Sequence, residues 1–464
     1  MTFNSLQFLV FFMVVTLWFF RIKNQKGRVL LLLIASCYFY MSFIPEYILI
    51  LGGTIIIDYI AGLLIEKNEG SARRAWLVVS LIANIGVLAV FKYYNFFIDN
   101  IHAGSLFFGK SVTLPMLKIA LPIGLSFHTF QAMSYTIEVY RKNQKAEKNF
   151  GTYALYVMFY PQLVAGPIER PQNVLPQLKE FRAYDWDNVK EGTSRMLWGF
   201  FKKVVIADRL AMIVERTYGH THESSSLALF AGAVFYSFQI YCDFSGYSDI
   251  AIGAAKVMNI KLMENFNQPY LSHTISNFWS RWHISLSSWF RDYLYIPLGG
   301  NRRGAFRSKL NILIVFLVSG LWHGANWTFL AWGLMHGLLV ILLTWGKKQD
   351  TKKKTDLTVL ARILFNFVLI TFLWIFFRSE NIGVAITYIR EIFAFHGGSN
   401  YIGVSRTELV FSAIIIGILL AREKYRPAHT IKSDAGFYCY AGAMILACYY
   451  LGVFSENQFI YFQF

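Results

Sequence analysis

The stretch Ser319–Gly337, SGLWHGANWTFLAWGLMHG, places two histidines, His323 and His336, in a segment that otherwise reads as a buried or membrane-spanning helix. Each stands directly before the second glycine of a Gly-x-x-x-Gly pattern, Gly320 to Gly324 and Gly333 to Gly337. Glycines at that spacing let a neighbouring backbone come close, so each imidazole is expected in a helix contact and away from lipid. Read as one continuous helix, the stretch sets the two rings about 20 Å apart along the axis and on different faces, too far to serve one reacting atom.

The solvent around that stretch follows from composition. Of 464 residues, 55% are hydrophobic, 18% aromatic and only 15% charged, far from the make-up of a water-soluble domain. Apolar stretches recur at Leu6–Phe20, Val29–Ile44, Tyr47–Ile65, Trp76–Ile98, Ile119–Ile137, Tyr153–Ile168, Leu227–Cys242, Leu310–Trp322, Trp327–Thr344, Leu360–Phe377, Leu409–Ala421 and Phe437–Val453. The sequence therefore predicts an all-α polytopic membrane protein with about 10–12 transmembrane helices, the shorter stretches being tilted, interfacial or re-entrant. No long soluble insert interrupts it, and residues 1–464 read as a single membrane domain.

Charge order sets the expected orientation. Met1–Gln7 has no basic residue, whereas Arg21, Lys23, Lys26 and Arg28 follow the first apolar run, the reverse of a secretory signal peptide. Basic loops recur two crossings apart, at Arg21–Arg28, at Lys67, Arg73 and Arg74, and at Arg141, Lys142, Lys145 and Lys148, which predicts a cytoplasmic face for them and an extracytoplasmic N-terminus. Arg302–Lys309, Lys347–Lys354 and Arg422–Lys432 are expected on the same side. The net charge of +17 is thereby explained by loops facing anionic lipid head groups, with no nucleic-acid partner.

Cys37, Cys242, Cys439 and Cys448 lie scattered in apolar runs, giving neither a disulfide framework nor metal-ligand spacing, and no metal site is expected. Nucleotide-binding glycine loops, H-E-x-x-H and G-x-S-x-G are absent. Chemistry must come from polar residues within the membrane region, where an ionisable group is costly and faces a cavity or a partner. The candidates are Asp58, His128, Glu138, Asp243, Asp249, His283, His323 and His336. Each also has a plain structural alternative, a histidine bonding a nearby carbonyl or an aspartate capping a broken helix. Around His323, Trp322 and Trp327 supply flat walls and Asn326 an amide, a slot suited to a neutral imidazole acting as base on a hydroxyl or thiol.

A second stretch, FWSRWHISLSSWFRDYLYIPLGGNRRG from Phe278 to Gly304, shows a polar stripe of Arg281, Ser285, Ser288 and Asp292 beside an apolar one of Trp282, Leu286, Trp289 and Tyr293. That pattern predicts an interfacial or re-entrant helix ending at Pro297, with His283 about 200° round from the polar stripe. Gly299, Gly300 and Gly304 can bring backbone amides and Arg302 or Arg303 towards a phosphate-bearing donor; a snorkelling membrane anchor is the alternative.

This block, followed by Leu321-Trp322-His323-Gly324, resembles the signature of the membrane-bound O-acyltransferase (MBOAT) family, nearest to its bacterial alginate O-acetyltransferase and teichoic-acid D-alanyl transfer branch. The stretches LPIGLSFHTFQAMSYTIEVYR from Leu121, FYPQLVAGPIERP from Phe159, WGFFKKVVIADRL from Trp198 and FQIYCDFSGYSDIAIG from Phe238 are similar to the alginate-type members. The motif-bearing part is 1–346; residues 347–464 match only as a hydrophobic pattern. Glu169 stands where the family pattern has an apolar residue, which bears on lipid or partner contacts.

The resemblance implies helices around a central tunnel, His323 as the principal catalytic residue and His283 as the second, with His336 structural. Trp322, Asn326, Trp282, Arg302 and Arg303 are the expected substrate-binding residues. It also implies no permanently bound cofactor and a cytosolic acyl-CoA donor, acetyl-CoA. The partners would be membrane lipids and an extracytoplasmic serine-hydrolase-like acetyltransferase, and the expected place is a bacterial cytoplasmic membrane. The acceptor expected is an extracytoplasmic polysaccharide, alginate-like exopolysaccharide first, peptidoglycan or teichoic acid as alternatives. A non-enzymatic transporter or scaffold subunit is the competing class.

Overall fold

The computed structural model describes residues 1–464 apart from 111, 113, 119–120, 165, 345–355, 401, 426–430, 432, 455–458 and 461–464. The basic loop Lys347–Lys354 and most of 426–432 thus lie outside the described residues. Apart from one isolated bridge, Ser224 to Ser399, the regular structure of the described residues is helical. Hydrocarbon offers a backbone no hydrogen-bond partners, and a helix satisfies its own.

By length and composition, five described helices can cross a membrane: Tyr47–Lys67, Gly70–Phe107, Ser226–Val257, Gly304–His323 and Leu357–Arg378. Leu6–Arg21 and Trp327–Leu343 are shorter apolar helices. Other apolar stretches of the sequence break: Tyr153–Ile168 becomes the helices Phe150–Met158 and Tyr160–Leu163, separated at Phe159. Leu17, Leu49 and Ile82 are 64%, 75% and 66% exposed, a surface that suits lipid and would be a liability in water. The chain is a multi-pass membrane protein.

The described chain forms two compact units, Met1–Thr193 with Ala251–Met263, and Ser194–Ile250 with Glu264–Phe464. In the first, short polar side chains start the helices: Ser5 accepts from the Phe8 N–H, Asn24 from Gly27 and Asn149 from Thr152. Gly124 begins Leu125–Tyr140 at φ +75°, and a Cβ there would press on the Leu163 carbonyl oxygen, so only glycine fits.

The basic loops of this unit meet on one face. Arg28 and Gln25 donate to the carbonyls of Arg182 and Leu178, Arg73 donates to those of Val139 and Tyr140 at 2.8 Å, and Lys179 pairs with Glu147. Loops that charge periodicity alone assigned to a common side are joined by hydrogen bonds. The polar segment after Glu169 folds as the amphipathic helix Pro171–Lys179, burying Val174, Leu175 and Leu178.

In the second unit, an aromatic-rich core runs through Phe278, Trp282, Trp332, Trp374 and Phe377. Trp332 and Trp374 stack at 5.7 Å, and the Trp374 indole N–H donates to the Tyr270 hydroxyl at 3.1 Å. Stacked and edge-on aromatic pairs each add roughly 0.5–1.5 kcal/mol beyond burial, which stiffens the walls around any group set among them.

Candidate active site

The helix expected over Ser319–Gly337 is two helices. Gly304–His323 ends at His323, Gly324 is extended, and Trp327–Thr344 returns antiparallel, with the Asn326 side chain accepting from the Thr328 N–H at 3.0 Å. The glycines make the crossing possible. A Cβ on Gly320 would run into the Phe329 carbonyl oxygen, and one on Gly333 into that of Phe316; Gly324 leaves room for the Phe329 ring. The expected 20 Å separation of the histidines is therefore overturned, because the Gly-x-x-x-Gly patterns pack against each other across a hairpin.

His323 is the last residue of its helix and is buried. Its ring lies 4.9 Å from Trp322, 5.2 Å from Trp332 and 5.3 Å from Phe377, centroid to centroid, all nearly edge-on. Trp327, expected as a wall, is 55% exposed; Trp332 and Phe377 take its place because the chain has turned back. Water-excluding aromatic walls around a basic nitrogen favour proton transfer over hydrolysis.

His283 also departs from the expected helix. Ile275–Trp279 stops, His283 adopts φ 44° and ψ 55°, and Ile284–Phe290 starts anew, continuing as a π-helical turn, Arg291–Tyr295, before Pro297. A non-glycine residue in the left-handed region is held there by its surroundings. The Ile284 N–H donates to the Asn265 carbonyl at 2.9 Å, and the imidazole Nδ1 lies 3.1 Å from Asn265 Oδ1. The Phe244 ring meets the imidazole at 4.7 Å, and Trp322 lies 6.1 Å away. Trp322 thus touches the rings of both His283 and His323.

His336 is fully buried, its Nδ1 accepting from the Trp279 indole N–H at 3.2 Å, and its ring 4.9 Å from Trp332. Trp282 sits in the core, against Trp374 at 5.0 Å and Phe266 at 5.1 Å. The Asn326 amide donates to the Glu380 carbonyl at 2.7 Å, a structural tie. Arg302 and Arg303 are exposed, on a turn pinned by Asn311 donating to the Gly300 carbonyl at 3.0 Å. Arg303 precedes a 20-residue helix that ends at His323, so about 30 Å of helix separates the two.

Asp243 and Asp249 belong to a buried charge network that single-residue reading missed. Lys203 bridges Asp243 at 2.6 Å and Asp208 at 2.8 Å; Lys202 meets Asp249 at 2.6 Å, and Arg195 joins Asp249 at 2.9 Å to Glu264. The π-helical turn Phe201–Ala207 carries the adjacent lysines to different aspartates. The signal in the sequence was the pair Lys202-Lys203 inside an apolar run, facing two aspartates six residues apart on one helix. Buried charges persist only when paired in this way.

The remaining candidates lie in the first unit. Asp58 accepts from Ser80 at 2.6 Å and Asn84 at 2.8 Å, and Glu138 from Gln172 at 2.7 Å, both tying helices together. His128 is buried, with neither ring nitrogen hydrogen-bonded among the described residues. Glu169 is fully buried, accepting from the Met263 N–H and from Asn173, so it faces neither lipid nor partner; burial pushes its carboxyl up to about 7. Among the described residues no group of three His, Cys, Asp or Glu is arranged to hold a metal ion.

An all-helical, lipid-facing scaffold thus seats His283 and His323 around Trp322 in an aromatic core. Residues 85–378 match the family model of the membrane-bound O-acyltransferases, and the chain belongs to that family. It is 38% identical over 440 residues to the probable alginate O-acetylase of Pseudomonas aeruginosa, covering 92% of this chain and 82% of that protein. It is 34% identical over 404 residues to the peptidoglycan O-acetyltransferase of Helicobacter pylori, with 81% and 76% covered. A teichoic acid D-alanyltransferase of Bacillus subtilis is 29% identical over 216 residues, with 44% and 53% covered. The protein is an O-acyltransferase, working with an acyl donor among membrane lipids.

Proposed function

We propose that this acyltransferase takes an acetyl group from acetyl-CoA at the cytoplasmic face of a bacterial inner membrane and delivers it for O-acetylation of an extracytoplasmic polysaccharide. Alginate-like exopolysaccharide is the preferred acceptor, on the names of the relatives matched over most of the chain; the relative named for peptidoglycan supports that acceptor second. The gathered basic loops support a cytoplasmic assignment for their face, with the N-terminus outside. An extracytoplasmic serine-hydrolase-like transferase would use or receive the acetyl group, and the whole chain would act as one catalytic domain.

The observation that carries the reading is the seat of His323 between Trp322, Trp332 and Phe377. In the proposed step, His323 takes the proton of the acceptor hydroxyl as its oxygen attacks the thioester carbonyl. The new C–O bond forms, the C–S bond breaks, and the imidazolium returns the proton to the departing thiolate. Trp322 links this base to His283, the second catalytic histidine. Asn326 shapes the hairpin turn, since its amide is already engaged with Glu380.

The test uses protein in nanodiscs with radiolabelled acetyl-CoA, with and without the extracytoplasmic partner. His323→Ala should lower acetyl transfer by about 10²–10⁴-fold with an unchanged melting profile. Full transfer by that variant would remove His323 as the base.

A further inference from the structure

Asn265 is buried and makes contacts that fix its orientation. Its Oδ1 accepts from the Ser285 backbone N–H at 3.4 Å and from the Ser285 hydroxyl at 2.8 Å, while its Nδ2 donates to the Ser248 hydroxyl at 3.2 Å. A backbone N–H can only donate, so the side of the amide facing Ser285 is the carbonyl oxygen. His283 Nδ1 lies 3.1 Å from that same oxygen. A carbonyl oxygen accepts only, so Nδ1 must carry the proton, and in the neutral ring Nε2 carries the lone pair.

We propose that Asn265 is a positioning residue that holds His283 as the Nδ1–H tautomer, leaving Nε2 as the nitrogen able to take or return a proton during acyl transfer. The same residue fixes the backbone: its carbonyl takes the Ile284 N–H, and the Asn267 N–H donates to the Arg281 carbonyl at 2.9 Å, which pins the left-handed His283 from both sides. Phe244, one turn before Ser248 on the helix Ser226–Val257, sets the ring plane. The joint therefore specifies backbone, ring plane and tautomer together, the three things an acid–base histidine needs.

The inference rests on the reading of His283 as part of the acyl-transfer site, and the two are tested apart. Full-length protein with 15N-labelled histidine in nanodiscs gives the tautomer by solid-state NMR, His283→Gln identifying the signal. Wild type should show Nδ1–H at His283. Asn265→Leu should lose that single tautomer and lower acetyl transfer from acetyl-CoA roughly 100-fold with little change in KM. Asn265→Asp keeps the acceptor oxygen, so it should keep the tautomer and recover activity, with the acid limb of the rate profile moved to higher pH by the added negative charge. The other charged groups at the joint, Glu264 with Arg195 and Asp249 with Lys202, are unchanged in both variants, and His323 lies beyond Trp322.

An Nε2–H tautomer in wild type or in a folded Asn265→Asp would overturn the proposal, as would Asn265→Leu with wild-type rate and tautomer. Should wild type lack acetyl transfer altogether, the acyl-transfer reading fails while the NMR result still decides what Asn265 does to His283.

Discussion

The ring of His323 stands 5.2 Å from that of Trp332, edge to face, although a continuous helix would put residues nine apart on opposite sides and about 14 Å along the axis. Trp332 also meets His336 at 4.9 Å, so the two histidine rings lie within roughly half the spacing of the straight-helix reading. The close crossing of Gly320 and Gly333 makes this contact.

Bulk at that crossing should be costly. Gly320→Val and Gly333→Val each drive a side chain into backbone of the partner helix, and a loss of about 1–3 kcal/mol or more is expected, with acetyl transfer falling in parallel. Gly417, inside the helix Arg406–Tyr425, has nothing within 4 Å of an added Cβ, and Gly417→Ala should melt at or slightly above wild type. Thermal unfolding in detergent separates the two; a wild-type melting point for Gly320→Val would show that the hairpin is not closed as described.

Lys203 bridges two buried aspartates. Lys203→Met should cost about 3–5 kcal/mol by leaving Asp208 and Asp243 facing each other, and adding Asp243→Asn should recover part of that loss. The double variant melting below the single one would mean that Asp243 stabilises the fold by another route, such as its bond to the Ile460 N–H at 2.7 Å.

Glu169 links stability to pH. Its carboxyl, ordinarily near 4.5, is pushed up to about 7 by burial, so the folded chain holds the proton more tightly than the unfolded chain. That contribution is fully present below pH 4.5 and is lost as pH rises through 7. Glu169→Gln should flatten the dependence of melting temperature on pH between 5 and about 8. An identical slope in wild type and variant would assign the dependence to other groups.

Arg302 and Arg303 lie too far along the helix to reach the proposed base, His323. Their joint replacement by alanine should raise KM for acetyl-CoA, more at low than at high salt, with kcat within about twofold. A fall in kcat comparable to that of His323→Ala would place them nearer the reacting atoms than the helix length allows.

The alternation of apolar stretches with basic loops was enough for the class: hydrocarbon demands helices, and lysine and arginine sort to one face. The motif around Trp322 and His323 was equally legible, because its glycines and aromatics are local. The hairpin was not, since Gly-x-x-x-Gly states that a backbone comes close without stating whose. Likewise Asp243 and Asp249 were visible as charges, but their roles depend on Lys202, Lys203 and Arg195, brought to them by a neighbouring helix. The sequence by itself determined a helical membrane protein, set by composition, and carried the local motifs that resemble its family, with His323 the expected base. Only the tertiary structure decided which rings wall His323, which residue bonds the His283 ring and which charges pair, because each depends on side chains distant in sequence meeting across packed helices.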